Sequence, residues 1–325
     1  MADGAQQPLA GMLVVDFTRY LPGAFASREL LRLGAQVVRV EAPEGDPMRR
    51  TAPAWDDALR RGKESVVCDL KRDAPFARAL CARADVVLEG FRPGVAERLG
   101  IGPADVPGRA VYCSITGFGT EGRHAARVGH DLNYLGWAGA LEDTAPAAPP
   151  VQVADLAAGA LGAVVQVLGA LLHRERGGQG ARLVVSMTHG SHDLVAHRLG
   201  GDPLPRLLTG RLACYSTYAT ADGRFLTLAA LEPVFFVRAC ELLGRPDLAS
   251  RQYEEDQGAL RRELAGLFSA RPLEEWLRLF DGEEVCVGPV ATLAEAHTDL
   301  GPWPEPPPDV PLGAHTDAWR DALAG

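Results

Sequence analysis

Along the first half of the chain, short apolar runs alternate with helix-length stretches of mixed polarity. Met12-Leu13-Val14-Val15-Asp16-Phe17, Gln36-Val37-Val38-Arg39-Val40, Ser65-Val66-Val67-Cys68-Asp69-Leu70, Val86-Val87-Leu88-Glu89 and Ala110-Val111-Tyr112-Cys113-Ser114-Ile115 are rich in β-branched residues. Runs of that length suit strands covered on both faces. Between them, a turn through Leu21-Pro22-Gly23 leads into a helix from about Ala24 to Leu33. A second helix spans Pro75 to Ala84, with the proline in its first turn, where the missing N–H costs nothing. Strand–helix–strand alternation with short turns predicts an α/β fold with a mainly parallel, Rossmann-like doubly wound sheet.

Beyond residue 140 the pattern changes. Glu142 to Pro150 reads as a loop, and Ala154 to Leu172 is nearly all Ala, Gly, Val and Leu. That stretch is about as long as a membrane span. Asp155 and Gln166 interrupt it and His173-Arg174-Glu175-Arg176 ends it, so a buried central helix is expected and no membrane crossing. Arg182 to Met187 is a further strand, and Gly200 to Gly210 reads as a linker. A second αβ unit follows, with a hairpin turn at Ala219 to Arg224 and helices over Pro233–Leu243, Gln257–Phe268 and Leu273–Phe280. Trp303 to Pro311 is proline-rich and irregular, and Thr316 to Leu323 reads as a closing helix. The expected division is a large domain over 1–185, completed by 305–325, and a small α+β domain over 215–290, with linkers at 186–214 and 291–304.

The 325 residues, 47% hydrophobic and 23% charged, describe an ordinary globular chain large enough for two cores. A net charge of −9 argues against nucleic-acid or anionic-membrane partners, although basic residues gathered locally can still hold a polyanion. The six cysteines are scattered, with no C-x-x-C pair, and are expected to be reduced and mostly buried. The first residues carry no secretory pattern, so a cytoplasmic location is expected. No G-x-G-x-x-G follows the first strand and no Walker motif is present.

Three candidates for chemistry stand out. His130, in Gly129-His-Asp-Leu-Asn-Tyr134, has the near-neutral pKa that suits a general base, but a lone histidine equally fits a surface or core position. Asp155 opens the Ala-rich helix, where it could be an N-cap or a functional acid beside oxyanion-binding N–H groups. Glu232, in Ala230-Leu-Glu-Pro233, ends an apolar strand before a proline-started helix. His189, His192 and Asp193, with His197 beyond, share a helical spacing, but a solvated helix face is simpler than a metal site. Arg39, Lys63, Lys71 and Arg92 fall in or near loops of the parallel sheet and together would suit a pyrophosphate.

Taken in order, these strings resemble the family III coenzyme A transferases (the CaiB/BaiF family), most closely their α-methylacyl-CoA racemase branch. The matching pieces include Gly11-Met-Leu-Val-Val-Asp16, Leu33 to Pro43, Asp69-Leu-Lys71, Glu89-Gly-Phe-Arg-Pro-Gly94, Gly129-His-Asp131, Val153-Ala-Asp155 and Ala230-Leu-Glu-Pro233. The resemblance implies an interlocked homodimer that binds acyl-CoA thioesters and needs no metal or redox cofactor. It implies His130 and Glu232 as one acid/base pair, with Glu232 from the other subunit, and Asp155 as the opposing acid/base. Arg39, Lys63, Leu70, Lys71 and Arg92 would hold coenzyme A, and Gly129, Asp131 and Tyr134 would line the thioester. Val151, His189 and the short linkers depart from the racemase pattern. Three readings follow: a racemase of 2-methylacyl-CoA esters, a transferase with Asp155 as nucleophile, and a catalytically silent acyl-CoA binder.

Overall fold

The computed structural model describes residues 7–301 and 307–324, in two units. The first unit comprises 1–196 and 305–325 and the second 197–304.

The first unit is built on a six-stranded sheet: β1 (Leu13–Asp16), β2 (Gln36–Glu41), β3 (Glu64–Val67), β4 (Val86–Glu89), β5 (Val111–Thr116) and β6 (Arg182–Ser186). Its order is β3-β2-β1-β4-β5-β6, and every pairing is parallel. Helices α1 (Tyr20–Arg32), α2 (Pro53–Arg60), α3 (Ala74–Arg83), α4 (Asp131–Trp137), α5 (Ala154–Glu175) and α6 (Met187–Val195) connect or flank the strands. Side-chain alternation along the strands divides the core in two. Val14, Val37, Leu88, Val111 and Val185 face α1 and α5, whereas Leu13, Val15, Val38, Val66 and Val87 face α3. Strands β1, β2, β4 and β5 are buried on both sides, as their β-branched runs require, whereas β6 leaves Val184 exposed.

Two boundaries differ from expectation. Helix α1 begins at Tyr20, so Leu21-Pro22-Gly23 is its first turn, where a proline is tolerated. Gly23 has a specific reason to be there: a Cβ at this position would lie 2.1 Å from the Thr18 Cβ. The Ala-rich helix α5 opens with π-type turns over Ala154–Leu161 and becomes α-helical from Gly162. Ala154, Ala160, Ala163, Val167 and Leu171 of α5 are buried, while Leu161, Val165 and Leu172 on its other side are exposed. The helix is long and apolar enough to cross a membrane by length and composition, and its inner face packs in the core.

The chain returns to the first unit at its C-terminal end. His315 N–H donates to the Ser65 carbonyl at 2.9 Å, Val67 N–H donates to Thr316 Oγ1 at 2.9 Å, and Trp319 of α10 (Thr316–Ala324) is buried. These contacts cover the open edge of β3. The proline-rich stretch expected over Trp303 to Pro311 lies partly outside the described residues.

In the second unit, the antiparallel strands β7 (Tyr215–Ala219), β8 (Phe225–Ala229) and β9 (Val287–Pro289) pack on α7 (Pro233–Leu242), α8 (Gln257–Phe268) and α9 (Leu273–Phe280). The linker expected over 186–214 is shorter in the structure. Residues 187–195 are helix α6 of the first unit, and Leu212, Ala213 and Cys214 are buried in the second core.

Two residues assigned above to coenzyme A are corrected here. Arg39 is 2% exposed, and its guanidinium pairs with Asp56 at 2.9 Å, Asp46 at 3.0 Å and Glu41 at 3.8 Å. Lys63 is also 2% exposed; its Nζ donates to the Ala24 carbonyl at 2.8 Å and to Ser27 Oγ at 2.7 Å. Burial lowers the Lys63 pKa to about 7 against the pull of Asp16. Both side chains are spent inside the protein, tying α1 and α2 to the sheet, so neither offers its charge to a ligand. Removing Arg39 would leave the buried Asp46 without its cation, while Glu41 keeps Arg49 and Asp56 keeps Arg60. Arg39→Met is expected to cost about 3–5 kcal/mol, read as a drop in the urea-unfolding midpoint. An unchanged midpoint would contradict the structural role.

Candidate active site

The strand order reverses between β1 and β4, because β1 continues sideways to β2 while β4 continues to β5. Loops leaving the C-terminal ends of those strands diverge there and open a crevice. The crevice is present: a cavity of about 530 Å³ is lined by Thr18, Arg19 and Tyr20 after β1, Gly90 to Pro93 after β4, and Ile115 to Gly119 after β5. Arg127 to His130, Asn133, Tyr134, Asp155 and Met187 complete its wall.

Each of these turns is held by polar contacts that the sequence supplies locally. Asp16 Oδ1 accepts from Thr18 N–H at 2.9 Å and from Thr18 Oγ1 at 2.6 Å. Glu89, buried at the end of β4, accepts from Phe91 N–H at 2.7 Å and so aims the Phe91-Arg92 turn; burial raises its pKa. Thr116 Oγ1 accepts from Gly119 N–H at 2.9 Å. Tyr20 carries a φ of 64°, a left-handed conformation costly for an aromatic residue, and its N–H donates to Asp46 at 3.1 Å. Asp46 is one of the Arg39 carboxylates, so Arg39 supports the cavity wall from behind.

The two candidate acid/base residues sit at the heads of α4 and α5. His130 is the N-cap residue of α4, exposed in the cavity, with its N–H donating to Asn133 Oδ1 at 3.1 Å. Tyr134 buttresses this turn. Its hydroxyl donates to the Gly129 carbonyl, and a Cβ on Gly117 would fall 2.6 Å from its ring. Burial raises the Tyr134 pKa to about 12, with Asp155 and Asp131 adding to the rise.

Asp155 departs from expectation. It lies inside the first turn of α5, so it is not the N-cap. The cap is supplied from α4: Asp131 Oδ1 accepts the Asp155 N–H at 2.9 Å. The Leu156 N–H is spent on the Gln152 carbonyl at 2.9 Å. The expectation that these opening N–H groups of α5 await an oxyanion is therefore corrected for both. The Asp155 carboxyl receives no hydrogen bond among the described residues. Burial first, and then the neighbouring Asp131 charge, raises its pKa to about 7.

A second cavity of about 520 Å³ lies over the ends of β1, β2, β3 and β4. Phe17, Val40 to Glu44, Cys68 to Lys71, Val95 and Leu99 line it, and Arg19 and Phe91 are common to both cavities.

Comparisons with known proteins agree with this architecture. The family model for CoA-transferase family III matches residues 9–301. The chain belongs to that family. Mouse α-methylacyl-CoA racemase is 35% identical over 309 residues, covering 89% of this chain and 79% of the relative. Mouse succinyl-CoA:glutarate CoA-transferase is 31% identical, covering 91% and 74%. The crystal structure of Rv3272 from Mycobacterium tuberculosis superposes with a TM-score of 0.78 at 29% identity, covering 97% of this chain and 100% of that one.

The structure thus gathers His130, Asp155, Gly129 and Tyr134 around one cavity, with Asp131 behind Asp155. Leu70 and Lys71 line the second cavity. Arg92 lines the first rather than the second, on the side of His130. Glu232 is exposed as the N-cap residue of α7 in the second unit. The sequence reading missed Arg19, Tyr20, Asn133, Arg127 and Met187. Arg19 and Tyr20 directly follow the first strand, and the strand order shows them to stand at the switch point. His189 and His192 bond Ser186 Oγ at 2.7 Å and the Ala138 carbonyl at 3.0 Å, and no metal-binding group of three or more His, Cys, Asp or Glu stands among the described residues.

The folded protein holds Asp155 protonated where the unfolded chain ionises it. Stability from this group is full below about pH 4 and is lost as pH rises through about 7. Asp155→Asn removes that dependence. Its melting temperature should gain on wild type between pH 4 and pH 8, and a constant difference would contradict the raised pKa. Asp131→Asn keeps an acceptor for the Asp155 N–H but removes the charge. It should move the midpoint of this pH dependence downward, measured by the same melts.

Proposed function

We propose that the chain is a racemase or epimerase of 2-methylacyl-CoA thioesters. It removes the proton beside the thioester carbonyl on one face and returns one on the other, through an enolate. The observation that carries this reading is the pair His130 and Asp155 on one cavity, with the Asp155 pKa held at about 7. Inversion needs a donor and an acceptor of protons of similar strength around one carbon. A carboxyl raised to near neutrality and an imidazole meet that need without a metal or redox group. Coenzyme A would run from the second cavity, over Leu70 and Lys71, past Arg19 and Arg92 to the reacting pair.

Glu232 is proposed as the partner of His130, delivered by a second copy of the chain. Self-association is supported by an exposed apolar face of α5, β6 and α6: Leu161, Val165, Val184 and Leu194 line a shallow depression of about 680 Å³. A cytoplasmic setting is consistent with the cysteines, all unpaired, five buried and Cys286 exposed.

A transferase reading is favoured by the match to the succinyl-CoA:glutarate enzyme, whose coverage is close to that of the racemase. It requires Asp155 as an ionised nucleophile. A carboxyl that stays largely protonated until about pH 7 suits proton transfer better.

Incubation with a 2-methylacyl-CoA in deuterated water separates the two. Deuterium at the α-carbon with no acceptor acid supports the racemase, and thioester transfer that depends on an acceptor supports the alternative. Tight binding with neither would leave the silent binder. In the racemase, His130→Ala should slow exchange of one enantiomer more than the other, and Asp155→Ala should reverse that preference. Equal loss for both enantiomers in both variants would exclude the face-specific roles.

A further inference from the structure

The chain leaving β8 uses its hydrogen bonds unevenly. From Ala229 to Glu232 each backbone carbonyl has a donor. The Ala229 carbonyl accepts Leu231 N–H at 3.1 Å, the Ala230 carbonyl accepts Gln252 Nε2 at 3.0 Å, and the Glu232 carbonyl accepts Phe235 N–H at 3.1 Å. The Leu231 carbonyl accepts twice, from Gln252 Nε2 at 2.8 Å and from the Tyr253 hydroxyl. The Glu232 carboxylate, by contrast, accepts no hydrogen bond and joins no ion pair among the described residues, although Glu232 is the N-cap residue of α7. Asp256, the N-cap residue of α8, does spend its carboxylate on Ala259 N–H, at 3.0 Å. The segment presents a free acid on a fixed backbone.

Gln252 and Tyr253 hold that backbone for different reasons. Gln252 is 4% exposed, and its amide gives its two N–H groups to two successive carbonyls. Carbonyls turned inward need such donors, so this bond also has a structural use. Tyr253 is 53% exposed. Water would serve the Leu231 carbonyl on that side, so satisfaction alone does not call for the hydroxyl. What the second donor adds is direction: it fixes the Leu231 peptide, whose next residue is Glu232. Burial, then Cys214 and the Glu232 charge, raise the Tyr253 pKa, so the hydroxyl keeps the proton that it donates. Gln257 ties down the stretch that carries both residues. Its Nε2 donates to the Gln252 carbonyl at 3.2 Å and to the Glu254 carbonyl at 2.7 Å, and its Oε1 accepts Ala213 N–H at 2.8 Å.

We infer that Gln252 and Tyr253 are positioning residues for the Glu232 carboxylate, clamping the peptide from which the acid projects. The inference rests on the acid/base role proposed above for Glu232. Both residues act through the backbone and neither is needed at the reacting carbon. Proton transfer demands this kind of support, because misplacing an acid/base group by about an ångström costs about a hundredfold in rate.

The test follows α-deuterium exchange of the two enantiomers of 2-methylhexanoyl-CoA, each supplied alone, by mass spectrometry with the full-length protein. Tyr253→Phe deletes one exposed hydroxyl and keeps the ring, a change that thermal melting should barely register. It should lower kcat about tenfold for the enantiomer that Glu232→Gln slows most, with KM unchanged and the other enantiomer affected less. Gln252→Met, which keeps the bulk and loses both donors, should show the same preference with a larger loss. Wild-type kcat in Tyr253→Phe overturns the inference. So does a loss shared equally by both enantiomers, the mark of general loosening. Amide hydrogen exchange over residues 230–236 needs no substrate and keeps the two proposals apart. If wild type exchanges no α-deuterium, or Glu232→Gln matches wild type, the acid/base reading of Glu232 fails. Faster amide exchange in Tyr253→Phe then upholds the clamp, and an unchanged pattern overturns it too.

Discussion

The hydrogen bond from the Asp155 N–H to the Asp131 carboxylate joins the two stretches of chain that carry His130 and Asp155. Asp131 opens α4 directly after His130, and Asp155 opens α5 after the intervening loop. The same contact places the Asp131 carboxylate near the Asp155 carboxyl, whose charged form burial and then Asp131 disfavour. The carboxylate that satisfies the α5 backbone repels a second negative charge beside it. With burial removing solvent, the Asp155 proton is held to near neutrality.

Around that contact, the parallel sheet supplies rigidity. The ends of β1, β4 and β5 present Thr18 to Tyr20, Gly90 to Arg92, and Thr116 to Gly119 at the place where the strand order reverses. Every turn is fastened to a buried polar group: Asp16, Glu89 or Thr116. Behind the β1 turn lies the ion network of Arg39, Asp46, Asp56 and Glu41, which reaches the strained Tyr20 through Asp46. A buried network of this kind contributes less to net stability than to a defined geometry, because desolvation offsets much of its Coulomb energy. What it secures here is the wall of a cavity.

The same scaffold suits both chemistries found among the relatives. Under the proposed readings, proton transfer and acyl transfer would both use the Asp155 carboxyl. They differ in whether that carboxyl carries its proton. The environment of Asp155, with no hydrogen-bond donor to its oxygens and a like charge behind it, favours the protonated form. Arg127, whose guanidinium lies over the Trp137 ring, is among the residues that line the same cavity as Asp155.

Much of the architecture was legible in the linear pattern. The β-branched runs located all six strands of the large sheet, and helices over 257–268 and 273–280 match to the residue. His130 and Asp155 were recognisable because glycine and polar neighbours set them apart from the apolar runs. The folded chain alone decided which charges face outward. Arg39 and Lys63 look like Lys71 and Arg92 in sequence, but the first pair sits where carboxylates and carbonyls from α1 and α2 close over it. Likewise, only strand order reveals that Arg19 and Tyr20 border the cavity, and only helix packing shows that Asp131, not Asp155, caps α5. Periodicity records which side of an element is buried, a local property of the backbone. Burial of a particular charge and the cap on a distant helix depend on segments far apart in the chain, and those meet only after folding.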